Sequence, residues 1–169
     1  RPGGRPQWIN LPRNWIHQAV SYMDAGELLF RLAVELTEIM AVWALLAITA
    51  PGLNCYLAGS LALVIVHTWN WVTNGLFWSV FIFTFPGLKN PGAQKTVAYL
   101  NAMRGRLSRS KCISGIAIYG SVTRQAWHDR SDIDIRFLRH KGAWNLICAG
   151  LQTMAERFRA FLALQPMDL

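Results

Sequence analysis

Residues 39–88 read IMAVWALLAITAPGLNCYLAGSLALVIVHTWNWVTNGLFWSVFIFTFPGL, fifty consecutive positions without an Asp, Glu, Lys or Arg. A bilayer core about 30 Å thick takes roughly 20 apolar residues as helix, so this run has room for two spans. Ala50-Pro51-Gly52-Leu53-Asn54 is a strong turn signal between them. The predicted spans are about 29–50 and about 55–85. Only residues 39–50 of the first are charge-free. Glu27, Arg31, Glu35 and Glu38 recur at spacings of four, four and three, so they share one helical face that must meet headgroups, water or a partner.

The second predicted span has its own polar stripe. His67, Asn70 and Asn74 fall at i, i+3 and i+7, close to an expected break at residues 68–75. Such a stripe can contact lipid headgroups or a partner helix at membrane depth, or it can hydrogen-bond the two spans to each other. The second reading is preferred, because polar side chains commonly bridge transmembrane helices. A homo-oligomer formed through Glu35, Glu38, His67 and Asn70 is the corresponding intermolecular expectation. Trp69, Trp71, Phe77, Trp78, Phe81, Phe83 and Phe85 suggest an aromatic belt near an interface.

Charge is distributed unevenly around this stretch. The chain is 53% hydrophobic and only 15% charged, yet carries a formal net charge of +8. Residues 1–88 hold four basic and four acidic side chains, whereas residues 89–169 hold thirteen and five, so the whole excess lies in the second half. This composition excludes a disordered, collagen-like or disulfide-stapled chain. Basic residues flank the apolar stretch on both sides (Arg1, Arg5 and Arg13 before it, Lys89, Lys95, Arg104, Arg106, Arg109 and Lys111 after it), and the connecting turn has none. The positive-inside rule then places both termini in the cytoplasm of an integral inner- or plasma-membrane protein, with two crossings. Residues 1–21, with Trp8, Ile9, Trp15 and Ile16 among prolines and arginines, read as an interfacial lead-in, not a cleavable signal peptide. Cys55, Cys112 and Cys148 show no paired spacing and fit isolated thiols in a reducing compartment.

Beyond Phe85-Pro86-Gly87-Leu88-Lys89-Asn90-Pro91-Gly92 the pattern becomes that of a small α/β unit, giving a division into 1–88, a membrane-anchoring region, and 89–169. Helix is predicted over 94–108, a strand over 113–119, a short helix over 122–128, a strand over 132–138 and an amphipathic helix over 144–162. A last strand is expected at Pro166-Met167-Asp168-Leu169. The fold class is α+β: a helical transmembrane hairpin followed by a mixed sheet in the order α-β-α-β-α-β.

Asp132 and Asp134 alternate with Ile133 and Ile135, which puts both carboxylates on one strand face. Anions that close repel unless a cation lies between them, and Mg²⁺ is the hard ion that suits carboxylate and phosphate oxygens together. Upstream, Gly120-Ser121 joins a strand to the predicted short helix, where glycine admits close backbone approach and helix N-terminal amides favour an anion. An anion cup beside a carboxylate pair is a layout for metal-assisted phosphoryl or nucleotidyl transfer. A solvated edge strand bearing two acidic residues is the competing reading of Asp132 and Asp134.

Ile118-Tyr119-Gly120-Ser121, ten residues, then Asp132-Ile133-Asp134-Ile135, with Arg130-Ser131 in front, resembles the signature of the DNA polymerase β-like nucleotidyltransferase superfamily. The resemblance covers residues 93–169. It implies that Gly120 and Ser121 hold the β- and γ-phosphates of an NTP such as ATP. It also implies that Asp132 and Asp134 ligate two Mg²⁺ ions (or Mn²⁺), and that a third carboxylate comes from a later strand. Asp168 stands at that place, one residue from the end of the sequence, so the strand is expected to continue in a longer protein. Arg124 reads either as a phosphate contact or as a surface arginine, and Arg136 as a neighbour of Asp134 or a phosphate contact. Tyr119 and Trp127 read as base-stacking or core side chains, and His128 and His140 as surface histidines. The cluster from Lys89 to Lys111 reads as a face held near anionic lipid, and a nucleic-acid partner is disfavoured. The expectation is a membrane-anchored, Mg²⁺-dependent nucleotidyltransferase with a lipid-surface or membrane-bound acceptor. The alternative is a non-catalytic nucleotide-binding or scaffold subunit of a membrane complex.

Overall fold

A computed structural model describes residues 11–18, 23–77, 89–124, 127–128 and 131–168. Among them are five helices and a mixed sheet: α1 (Leu11–His17), α2 (Ala25–Thr49), α3 (Cys55–Thr73), α4 (Ala93–Leu107), β1 (Ile113–Tyr119), β2 (Ile133–Arg139), α5 (Ala143–Leu162) and β3 (Met167–Asp168).

The two apolar helices begin at side-chain caps. Asp24 accepts from the Glu27 amide at 2.8 Å and Asn54 from the Tyr56 amide at 2.9 Å, each satisfying a donor that the helix cannot. Pro51 lies just beyond the end of α2, where its ring cannot continue the helix. At 1.5 Å per residue α2 is about 37 Å long and α3 about 28 Å. Both are long and apolar enough to cross a membrane. Ala58, Ala62 and Val66 form a buried stripe along α3, and their small side chains let α2 approach closely. Outside that seam the apolar surface faces away from protein: Leu36 is 61%, Ile48 78% and Tyr56 86% exposed. Helix α3 stops at Thr73, and Gly75 adopts φ +75°, so the expected break is the end of the helix. The rest of the predicted second span, with Trp78, Phe81, Phe83 and Phe85, lies outside the described residues, as do Arg1, Arg5, Trp8 and Ile9.

The acidic face of α2 meets the polar stripe of α3. Glu35 Oε1 lies 2.6 Å from His67 Nδ1, and Asn70 Nδ2 donates to Glu38 at 2.8 Å. The other ring nitrogen of His67 is 2.9 Å from the Trp15 carbonyl oxygen, which can only accept, so Nε2 carries a proton. These four groups thus pair within the hairpin, as the interhelical reading expects. Helix α1 is clamped across the end of α3: Trp15 Nε1 donates to Thr68 (3.2 Å), Trp71 Nε1 to Asn14 (2.6 Å) and Gln18 Nε2 to the His67 carbonyl (2.7 Å).

In the second half β2 is central. It pairs antiparallel with β1 (Tyr119 opposite Asp134) and parallel with β3 (Asp134 beside Asp168). Ile133 and Ile135 are fully buried in a core with Met103, Leu107, Ala149, Ala160 and Met167. The expected helix at 122–128 is not formed where the chain is described: residues 120–124 are a turn, and 125–126 lie outside the described residues. Thr123 donates back to the Gly120 carbonyl at 3.1 Å, a local bond that competes with helix formation.

Arg106 leaves the basic face read from the sequence and makes a bidentate pair with Glu156, at 2.9 and 2.7 Å, joining α4 to α5. Arg159 adds a third bond to Glu156 at 2.7 Å, and the glutamate is only 1% exposed. Burial, and secondarily the charge of Glu156, push the neighbouring Tyr99 up to about 12. Two outcomes follow. Glu156→Gln removes the charge facing two arginines and is expected to lower stability by about 2–4 kcal/mol in chemical denaturation. Because the folded pKa of Tyr99 is raised, its stabilising contribution is complete below pH 10 and is lost as pH rises towards 12. Tyr99→Phe is therefore expected to flatten the stability profile between about pH 10 and 12.

Candidate functional site

The Gly-Ser turn and the Asp-x-Asp strand meet because β1 and β2 are antiparallel neighbours. The last residue of β1, Tyr119, lies opposite Asp134, so the chain leaving β1 at Gly120 turns directly over the start of β2. Gly120 takes φ +78°, and a Cβ built there would overlap the Asp134 carboxylate, lying 2.9 Å from its Cγ. Both the backbone angle and the space demand glycine. Ser121 Oγ donates to the Asp132 main-chain carbonyl at 3.3 Å, tying the turn to the carboxylate strand. Asp132 and Asp134 are half-buried, as expected for alternate residues facing away from the Ile133–Ile135 core.

The segment before Asp132 is fixed by a residue that the sequence pattern did not single out. Asn90, 8% exposed, donates to the carbonyls of His128 (2.7 Å) and Ser131 (3.3 Å) and accepts from the Gly92 amide (3.2 Å). Ser131 Oγ accepts from the His128 amide at 3.1 Å, and the Ser131 amide donates to the His128 carbonyl at 2.9 Å. An Asn between two prolines-with-glycine reads as linker, and only the fold shows that it closes the loop leading to Asp132.

Of the other residues named from the sequence, Asp168 is the register partner of Asp134 on β3; its side chain lies outside the described residues, as does Arg130. The Ile133 amide donates to the Pro166 carbonyl at 2.9 Å, which sets that register. Arg124 is exposed on the turn, three residues after Ser121, and His128 and His140 are exposed. Arg136 turns away from the role of partner to Asp134 in its resolved bonds: its Nε donates to Tyr119 Oη (3.2 Å) and its Nη1 lies 3.7 Å from Glu27 on α2. Next along β2, Arg139 donates to both carboxylate oxygens of Asp24 at 3.2 and 3.1 Å. The Glu27 amide bond, reinforced by Arg139, holds the Asp24 carboxyl below its usual range.

The strand that carries the carboxylates is thereby fastened to the base of the helical hairpin. Phe30 of α2 lies against Gly150 of α5, so closely that a Cβ there would overlap the ring. Gly75, just beyond α3, sits equally close to the Met167 carbonyl of β3. These contacts join the hairpin to the second half through β2, α5 and β3.

No family model matches the chain, and no curated protein or solved structure matches it either.

Gly120→Ala is expected to cost about 1–3 kcal/mol from backbone strain alone, with more from the displaced carboxylate. Asn90→Ala, which keeps the backbone but takes the side-chain donor from the buried Ser131 carbonyl and one of two donors from the His128 carbonyl, is expected to cost about 1–3 kcal/mol. Denaturant titration of each variant against the wild type checks both.

Proposed function

We propose that the protein is a membrane-anchored nucleotidyltransferase that moves a nucleoside monophosphate from an NTP to an acceptor hydroxyl or phosphate and releases pyrophosphate. The observation that carries this reading is the close approach of the Gly120 backbone to Asp134, with Ser121 bonded to the Asp132 carbonyl. It makes one constellation of two motifs that lie eleven residues apart, the pairing expected from the polymerase β-like resemblance.

Asp132 and Asp134 are hard oxygen donors on one strand, and the Asp168 backbone lies in register with Asp134. This donor chemistry fits Mg²⁺, which would supply charge neutralisation at the triphosphate and at the attacking oxygen. The chain's own part is positioning. Gly120, lacking a side chain, lets the Asp134 carboxylate lie directly against the turn. The Ser121 hydroxyl can exchange its carbonyl partner for a phosphate oxygen, and Arg124 stands on the same turn as a cation. The hairpin holds this strand beside the bilayer, with the catalytic unit on the cytoplasmic side as the flanking positive charges favour.

The test is transfer of label from α-labelled NTPs with Mg²⁺, using the full chain in its native membrane fraction. Asp132→Asn and Asp134→Asn are each expected to lower transfer by about a hundredfold or more, the equivalent of the several kcal/mol a bound metal contributes. Transfer equal to wild type in the double variant, or no transfer above membranes lacking the protein, contradicts the proposal.

A further inference from the structure

Helix α5 carries a second apolar face besides the one that packs in the core. Trp144, Ile147, Leu151, Phe158 and Leu162 follow one another at steps of three, four, seven and four, within an arc of about 60°. All five are exposed, from 43% at Ile147 and Phe158 to 77% at Trp144. The buried residues of the same helix, Ala149, Glu156 and Ala160, lie on its opposite side. The stripe is about 27 Å long and contains no charged residue.

Contacts with the hairpin define the direction in which this stripe faces. Leu146 lies against Gly26 and Gly150 against Phe30, both in the first two turns of α2. Further along α5, Arg157 Nη1 donates to Asn74, the C-cap of α3, at 3.4 Å. Helix α5 thus crosses the hairpin at its base. Phe161, off the stripe, meets Phe77 beyond the end of α3, with ring centroids 6.5 Å apart. Phe158, on the stripe, instead meets Trp69 within α3, also at 6.5 Å. Trp69 is about 7 Å nearer the apolar body of the hairpin than Asn74. It also ends an exposed row along α3, formed with Leu61 and Ile65 at steps of four.

We infer that α5 docks on the surface of the bilayer that the hairpin crosses, its exposed stripe sunk among the headgroups and upper acyl chains. A contiguous exposed apolar surface marks a docking face, and continuity selects lipid as its occupant. The lipid-facing row of α3 runs into the stripe through Trp69 and Phe158. An amphipathic helix with a charge-free apolar face lies in the interface plane, and tryptophan, here Trp144 at the start of the stripe, favours that depth. With α5 docked as well as tethered, the second half keeps one orientation to the membrane. The inference rests on the membrane reading of α2 and α3; it does not depend on nucleotidyl transfer.

The test is quenching of tryptophan emission in the full chain by brominated lipid. The bilayers are phosphatidylcholine with phosphatidylglycerol, brominated either near the headgroup or near the chain ends. Trp144 emission is read as the difference between wild type and Trp144→Phe. Trp43, in the uncharged part of α2, is read in the same way with Trp43→Phe and reports whether the hairpin is embedded. Trp144 emission is expected to fall about twofold or more with bromine near the headgroup, and less with bromine near the chain ends. Ile147→Asp/Leu151→Asp, at two exposed positions, is expected to reduce that quenching about twofold while Trp43 quenching is unchanged. Trp43 quenched and Trp144 unquenched overturns the docking and leaves the hairpin in the membrane. Acrylamide in the water then separates a stripe facing solvent, which it quenches, from one covered by protein, which it does not. Neither tryptophan quenched overturns the membrane reading and the docking with it. Trp144 quenching unaltered in the double variant overturns the stripe as the docking face.

Discussion

The pairing of Glu35 with His67 and of Glu38 with Asn70 is the constraint on which the rest of the arrangement depends. Helix α2 carries its acidic residues in the half nearest its N-terminus, leaving an uncharged stretch too short to span a bilayer by itself. Carboxyl groups among apolar helices are costly unless they are hydrogen-bonded, and the polar stripe of α3 supplies those bonds at the matching heights. The same bonds fix the rotation of α2 about its axis. With Glu35 and Glu38 turned to α3, the first turns of α2 present Asp24, Glu27 and Phe30 to the second half.

That docking gives the candidate site its setting. Strand β2 holds Asp134 at one point, and Arg136 and Arg139 further along its length. The arginines reach the cap and first turn of α2 while the carboxylate stays under the Gly120 turn. One strand thus serves both as the arm that fastens the unit to the hairpin and as the bearer of the acidic pair. Buried Glu156, bonded to Arg106 and Arg159, ties α4 and α5 together. The helices behind the sheet are thereby fixed independently of the hairpin.

Much of this was legible in the sequence where a pattern repeats. The fifty uncharged residues, the turn signal at Ala50-Pro51-Gly52-Leu53-Asn54, and the alternation through Asp132-Ile133-Asp134-Ile135 each encode one element through local chemistry. The matched polar stripes on α2 and α3 were readable for the same reason, since both follow helical spacing. What was not legible depends on contacts between distant segments. Residues 122–124 have the composition of a helix start, yet the backbone there folds into a turn held by Thr123. Arg106 looks like one more surface cation until α5 brings Glu156 to it. Asn90 looks like linker until the loop before Asp132 closes on it. The left-handed backbone at Gly120 could be suspected from glycine, but its close approach to Asp134 depends on the register of β1 against β2.

The most direct test of the central claim is whether the acidic strand holds a divalent cation together with a nucleotide. Electron paramagnetic resonance of Mn²⁺ reads this with the full chain in lipid nanodiscs, as loss of the free-ion signal on adding a non-hydrolysable NTP. The account predicts nucleotide-dependent Mn²⁺ binding in the wild type, abolished in Asp132→Asn/Asp134→Asn while the circular dichroism spectrum is retained. Mn²⁺ that stays free with nucleotide present, or that binds equally well to the double variant, would contradict it.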